Sequence, residues 1–97
     1  MKYQVQENCL TIFLPNELDH HNAEDIRKNA DALIEQHQIK CVIFDFSDTN
    51  FMDSSGIGMI VGRYKLVKPL GGKIILSQVK GNIERIISVS GLSKLLK

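Results

Sequence analysis

The block Cys41-Val42-Ile43-Phe44-Asp45-Phe46 constrains the fold more than any other stretch of the chain. It is nearly continuous and apolar, which predicts a strand covered on both faces, as in a parallel sheet. Just upstream, Ala23, Ile26, Ala30, Leu33 and Ile34 recur at helical spacing on one face. Asn22 is the expected N-cap of that helix, with Glu24 and Asp25 in its first turn and an end near His37. A helix between strands of this kind implies a right-handed crossover.

The flanking segments extend the pattern. Tyr3 to Leu14 is rich in β-formers and carries Glu7-Asn8 as a turn, predicting an N-terminal hairpin that Pro15 stops. After the turn formers Ser47 to Asn50, a second helix begins in the Asp53-Ser54-Ser55-Gly56 region, with Ile57, Ile60, Val61, Tyr64 and Val67 as its expected buried face. It must end by Lys68, because Pro69 disfavours helical geometry in its predecessor and Gly71-Gly72 completes the break. Ile74 to Leu76 predicts another buried strand. Gly81 to Val89 predicts a third helix presenting Ile83, Ile86 and Ile87, closed by Ser90-Gly91, and Leu92, Leu95 and Leu96 begin a last turn packed on the sheet. The expected order is β-β-α-β-α-β-α. That is one small α/β domain over residues 1–97, with a mixed four- to five-stranded sheet and helices packed on it.

Charge and composition narrow the function classes. No apolar run approaches the ~20 residues of a membrane span and Met1 to Gln4 lacks the apolar stretch of a secretory signal, so a cytoplasmic location is expected. Cys9 and Cys41 sit in strand-like runs, where a cysteine usually serves as a small hydrophobe. Residues 1–50 hold nine acids and four bases, and residues 51–97 two acids and eight bases. The bases Arg63, Lys65, Lys68, Lys73, Lys80 and Arg85 are nevertheless spread over helix, loop and strand without interleaved aromatics. They read as solvated faces rather than a nucleic-acid surface.

Several chemical motifs fail on context. Gly56-x-Gly58-x-x-x-Gly62 resembles a dinucleotide fingerprint, but a polar stretch separates it from the preceding strand and no acid follows at the next strand end. The preferred reading is that Gly58 and Gly62 let the helix approach the sheet. A hydrolase would need Asp19, His20 and Ser55 as triad, yet adjacent Asp19 and His20 are poorly placed for it and Asp53 occupies the elbow's first glycine position. His20, His21, His37, Cys9 and Cys41 show no metal-ligand spacing, and no cofactor is expected. What remains is a serine at a helix N-terminus beside an acid, where Asp53, Ser54 or Ser55 could each cap the helix.

The segment Phe51-Met-Asp-Ser-Ser-Gly-Ile-Gly-Met-Ile-Val-Gly-Arg-Tyr-Lys65 closely resembles the phosphorylation region of the stage II sporulation protein AA family, the anti-sigma F factor antagonists of the STAS superfamily. Glu17-Leu-Asp-His-His21, the Ala23 to Ile34 helix, Gly71-Gly72 and Ser90-Gly91-Leu92 extend the similarity over nearly the whole chain. The resemblance implies a non-enzymatic switch. The unphosphorylated protein binds an anti-sigma factor that is also a serine kinase, which frees the sigma factor. The kinase then phosphorylates Ser55, and a serine/threonine phosphatase reverses the modification. The same resemblance places Asp19, Asp53, Ser54, Ser55, Gly56, Ile57, Gly58 and, at its edge, Arg63 on the kinase-facing surface. A small-molecule- or nucleotide-binding STAS module is the alternative. Asn16 departs from the glycine usual before Glu-Leu-Asp, which could alter the turn presenting Asp19, and the chain's stop at Lys97 implies a short last helix.

Overall fold

In the computed structural model, which describes residues 1–95, four strands form one mixed sheet in the order β1 (Lys2–Gln6), β2 (Cys9–Phe13), β4 (Cys41–Asp45), β6 (Lys73–Ser77). β1 pairs antiparallel with β2 through a hairpin turn in which Glu7 takes a positive φ of 58°. β2, β4 and β6 are mutually parallel, with Leu10 opposite Val42 and Ile74, and Ile12 opposite Phe44 and Leu76. Two further strands of two residues each, β3 (Glu17–Leu18) and β5 (Phe51–Met52), pair parallel in a separate ladder. The sequence carried no sign of them.

The helices are α1 (His20–His37), α2 (Ser54–Val67), α3 (Gly81–Ser90) and α4 (Leu92–Leu95). α1 buries the expected face of Ala23, Ile26, Ala30, Leu33 and Ile34, but its N-cap is Asp19 and not Asn22, whose amide donates to Asp19 Oδ1 at 2.9 Å. Gln38 closes the helix in left-handed geometry, its amide donating to the Ile34 carbonyl. α2 ends at Val67, and a single 3-10 turn over Lys68–Leu70 leads into Gly71 at φ 80°.

The sheet is covered on one face only. Leu10, Ile12, Val42 and Phe44 are fully buried there, whereas none of Cys9, Thr11, Phe13, Cys41, Ile43, Asp45, Lys73, Ile75 and Ser77 on the other face is. The expectation of a strand covered on both faces is therefore corrected for Cys41 to Asp45, and Ile75, 37% exposed, shows the same for β6. Phe46 lies just past β4 and is fully buried.

α2 departs from its expected face as well. It buries Gly56, Met59, Ile60, Arg63 and Val67, and leaves Ile57, Val61 and Tyr64 half-buried. The glycine reading shifts with it. A Cβ on Gly58 or Gly62 would meet open space, whereas one on Gly56 would sit 2.7 Å from Met52 Cγ and 2.9 Å from Leu18 Cδ2. Gly56 is thus the residue that lets α2 approach the β3–β5 ladder. At the chain's end Leu92 is buried and Leu95 is 38% exposed, while Leu96 lies outside the described residues.

Candidate functional site

The β3–β5 ladder sets the site. Leu18 opposes Met52, so the two chain segments leave the ladder side by side, and each passes directly into an aspartate that caps a helix: Asp19 for α1 and Asp53 for α2. The loops behind the ladder are tied together. Thr49 Oγ1 donates to the Pro15 carbonyl at 2.8 Å, and the amide of Asn50 donates to the Asn16 carbonyl at 2.8 Å. The Asn50 side-chain amide also donates to Asn16 Oδ1 at 2.5 Å. Asn16 thus fastens the turn that presents Asp19.

Asp53 Oδ1 accepts hydrogen bonds from the amides of Ser55 at 2.9 Å and Gly56 at 3.4 Å. Of the three residues able to cap α2, Asp53 does so, which leaves both serine hydroxyls out of the capping role. Ser54 is exposed and Ser55 half-buried. Ser55 Oγ lies 3.3 Å from His20 Nδ1, the hydroxyl donating when that nitrogen carries no proton. His20 and Ser55 of the weighed triad therefore do meet, while the Asp19 carboxylate is turned to the amide of Asn22 instead.

Below that contact a groove of about 270 Å³ runs between α1 and α2, lined by His20, Glu24, Arg27, Ser55, Gly58 and Arg63 among others. Arg63 is not a solvated base: it is 7% exposed, and its Nε lies 2.9 Å from Asp31 Oδ1. The N–H is not aimed at that oxygen, and Arg63 Nη1 has no hydrogen-bond partner among the described residues. Burial holds the guanidinium below its usual range, with Asp31 opposing the shift. At the groove's rim Arg27 donates to Glu24 Oε1 at 2.5 Å and lies 3.7 Å from Asp31. That hydrogen bond holds the exposed Glu24 carboxyl below the ordinary range.

Asp19, Asp53, Ser54, Ser55, Gly56, Ile57 and Gly58 thus gather at the paired helix starts, with Gly56 buried and the rest exposed or half-buried. Arg63 stands apart, two helical turns further along α2 and under the groove. One feature of this end was not singled out from sequence: Phe51, which stays 45% exposed beside the loop although it is aromatic and sits in β5. An exposed aromatic next to a turn of polar residues is the one local signal that could have marked it. A second cavity, of about 640 Å³, opens at the far end of α1, walled by Ile34, Ile39, Leu66 and Leu70 with Lys40 and Glu35. No group of three or more His, Cys, Asp or Glu side chains could hold a metal ion among the described residues, and no helix there is long and apolar enough to cross a membrane.

A small mixed sheet with helices on one face and a capped serine at the start of a helix defines a class of regulatory α/β domain. The STAS domain model matches residues 1–97, and the chain belongs to that family. It is 37% identical over 96 residues to the anti-sigma F factor antagonist of Paenibacillus polymyxa, covering 99% of this chain and 82% of that one. It is similar to the solved structure of the anti-sigma factor antagonist SpoIIAA in its unphosphorylated form, with a TM-score of 0.86 and 32% identity over 96% of this chain and 84% of the other. The structure of the Bacillus cell fate determinant SpoIIAA in the phosphorylated form matches with a TM-score of 0.76 and 32% identity, over 96% of this chain and 86% of that one.

Proposed function

We propose that this protein is an anti-sigma factor antagonist that works as a phosphoswitch on Ser55, without enzymatic activity of its own. Unphosphorylated, it docks onto an anti-sigma factor with serine kinase activity and releases a sporulation sigma factor in the cytoplasm. In the kinase reaction Ser55 Oγ forms a bond to the γ-phosphorus of ATP, the bond from that phosphorus to the β–γ bridging oxygen breaks, and ADP leaves. The hydroxyl proton passes to a base. A serine/threonine phosphatase resets the switch.

The observation that carries this reading is the division of labour between Asp53 and Ser55. Because the Asp53 carboxylate takes up the first-turn amides, the Ser55 hydroxyl is not needed to cap α2. It is left facing the groove beside His20. A phosphate on Ser55 could not draw freely on the amides at the start of α2. Those of Ser55 and Gly56 are already engaged by a carboxylate. A phosphate carrying about −1.5 to −2 charges would face Asp53 across a few ångströms, with the His20 ring beside it. On the docking surface of Asp19, Ser54, Ile57, Gly58 and Phe51 the phosphate would add to the negative charge of the two aspartates without any change of fold, and burying an unpaired charge there costs several kcal/mol.

The test is to incubate the protein with the host's anti-sigma kinase and ATP and to locate phosphate by peptide mass spectrometry. Modification of Ser55 alone is expected. Phosphate on Ser54, or none where the same kinase modifies a known antagonist, would overturn the assignment.

A further inference from the structure

Cys9 and Cys41 are the first residues of β2 and β4, and they stand opposite one another in the parallel register. Both point to the uncovered face of the sheet, both are half-buried, and both are free thiols. Lys73 continues the same row on β6 and Gln6 on β1. Adjacent strands lie about 4.8 Å apart, inside the ~4.4 to 6.8 Å that disulfide-bonded α-carbons span. The row is at the start of both strands, where the ladder itself begins: the amides of Lys40 and Cys41 share the Asn8 carbonyl at 2.9 and 3.2 Å.

We infer that Cys9 and Cys41 form a two-thiol redox site on the open face of the sheet, closed reversibly to a disulfide by low-molecular-weight disulfides. In the first step the Cys9 sulfur attacks the oxidant, a bond forms between Cys9 and one of its sulfurs, and the other leaves as a thiol. In the second, Cys41 loses its proton and attacks Cys9 Sγ, expelling the remaining small thiol. The protein gives up two electrons and two protons, and one external disulfide becomes two thiols. Burial and the neighbouring Cys9 thiol push the Cys41 thiol up to about 11 against the pull of Lys73, so its small thiolate fraction makes the second step the slow one. The site lies at the starts of β2 and β4, while Ser55 follows from their carboxyl ends, so the pair is independent of the phosphoswitch reading.

The experiment is to equilibrate the full chain under native conditions in glutathione buffers of increasing oxidised fraction, quench with acid, and read intact mass and free-thiol number. The expected product is a monomer two hydrogens lighter than the reduced protein, with no free thiol and no bound glutathione, restored by excess reduced glutathione. Cys9→Ser and Cys41→Ser should each instead retain one glutathione or one free thiol. A wild-type product carrying two glutathiones, or only intermolecularly linked dimers, would overturn the proposal.

Discussion

His20 Nδ1 and Ser55 Oγ lie 3.3 Å apart across the starts of α1 and α2, two positions 35 residues distant in the chain. What brings them together is the pairing of Leu18 with Met52, since each strand of that two-residue ladder is followed by one aspartate cap and then by the residues in contact. The contact orients the hydroxyl without burying the imidazole, which is exposed. Replacing His20 should therefore disturb phosphorylation more than folding. His20→Ala is expected to slow Ser55 phosphorylation about tenfold, the scale of one lost neutral hydrogen bond. His20→Gln should recover part of the rate. Equal melting temperatures for the three proteins would separate positioning from stability, and an unchanged phosphorylation rate in His20→Ala would remove His20 from the switch.

Ser55→Asp tests whether the switch acts on docking or on the fold. Ser55 is half-buried at the groove's edge and its oxygen caps nothing, so an added carboxylate should alter stability by about 1 kcal/mol or less, mostly through repulsion from Asp53. Binding to the anti-sigma factor should fall at least a hundredfold, because the same charge would be desolvated in the complex. Calorimetric titration alongside thermal unfolding reads both. A mutant that melts far below the parent would show that the charge acts on the fold.

The glycines make opposite predictions that depend on geometry alone. Gly56→Ala forces a methyl against Met52 and Leu18, two buried side chains, and should cost about 1–3 kcal/mol. Gly58→Ala adds a methyl in open space within the same helix and should gain up to about 1 kcal/mol from helix propensity. Chemical denaturation of the two variants side by side decides it, and a destabilised Gly58→Ala would mean that the close approach had been assigned to the wrong residue.

How far the sequence could be read follows from these same residues. α1 was legible to the residue on its buried face, because Ala23, Ile26, Ala30, Leu33 and Ile34 form an uninterrupted helical stripe and nothing else competes for the core. α2 was not, since its orientation is fixed by Gly56, which has no side chain to register in a hydropathy pattern, and by Arg63, whose burial depends on Asp31 from another helix. The open sheet face was hidden for a related reason. Cys41, Ile43 and Ile75 are apolar enough for a covered face, and whether helices cover it is decided by the connections rather than by the strands. At the site, the identity of the serine loop could be read locally. His20 was weighed with Ser55 only as part of a triad, and what joins them, the pairing of β3 with β5, has two residues on each side, too few to show any period.

Alkaline pH should weaken the fold through Cys41. Its thiol is pushed up to about 11 by burial first and by Cys9 next, with Lys73 opposing, so the native state holds a proton that the unfolded chain releases near the ordinary cysteine value of about 8.5 to 9. The stabilisation is complete below that value and is lost as pH rises through the folded one, because over this window the unfolded state binds fewer protons than the native state. Screening at a half-exposed position limits the loss to about 1 kcal/mol. Under reducing conditions, urea unfolding at pH 8 and pH 11 should show that loss in the parent and a smaller one in Cys41→Ser.

An ion pair of Asp31 and Arg63 lies under the groove. Arg63 is buried with Asp31 as its close counter-charge, and Arg27 already draws on the other oxygen of that carboxylate. Asp31→Asn removes the compensation and leaves a guanidinium, two of whose nitrogens already lack a hydrogen-bond partner among the described residues, without its anion. Because Asp31 is itself 36% exposed, water can reach the site and the cost should be about 1–2 kcal/mol rather than the ~3 to 5 of a fully buried pair. Arg63→Met, which fills the same space without a charge, should be nearly neutral in the parent and should rescue Asp31→Asn. That cycle separates the penalty of a stranded charge from the worth of the pair, and a further loss on combining the two substitutions would show that Arg63 stabilises the groove by a contact other than Asp31.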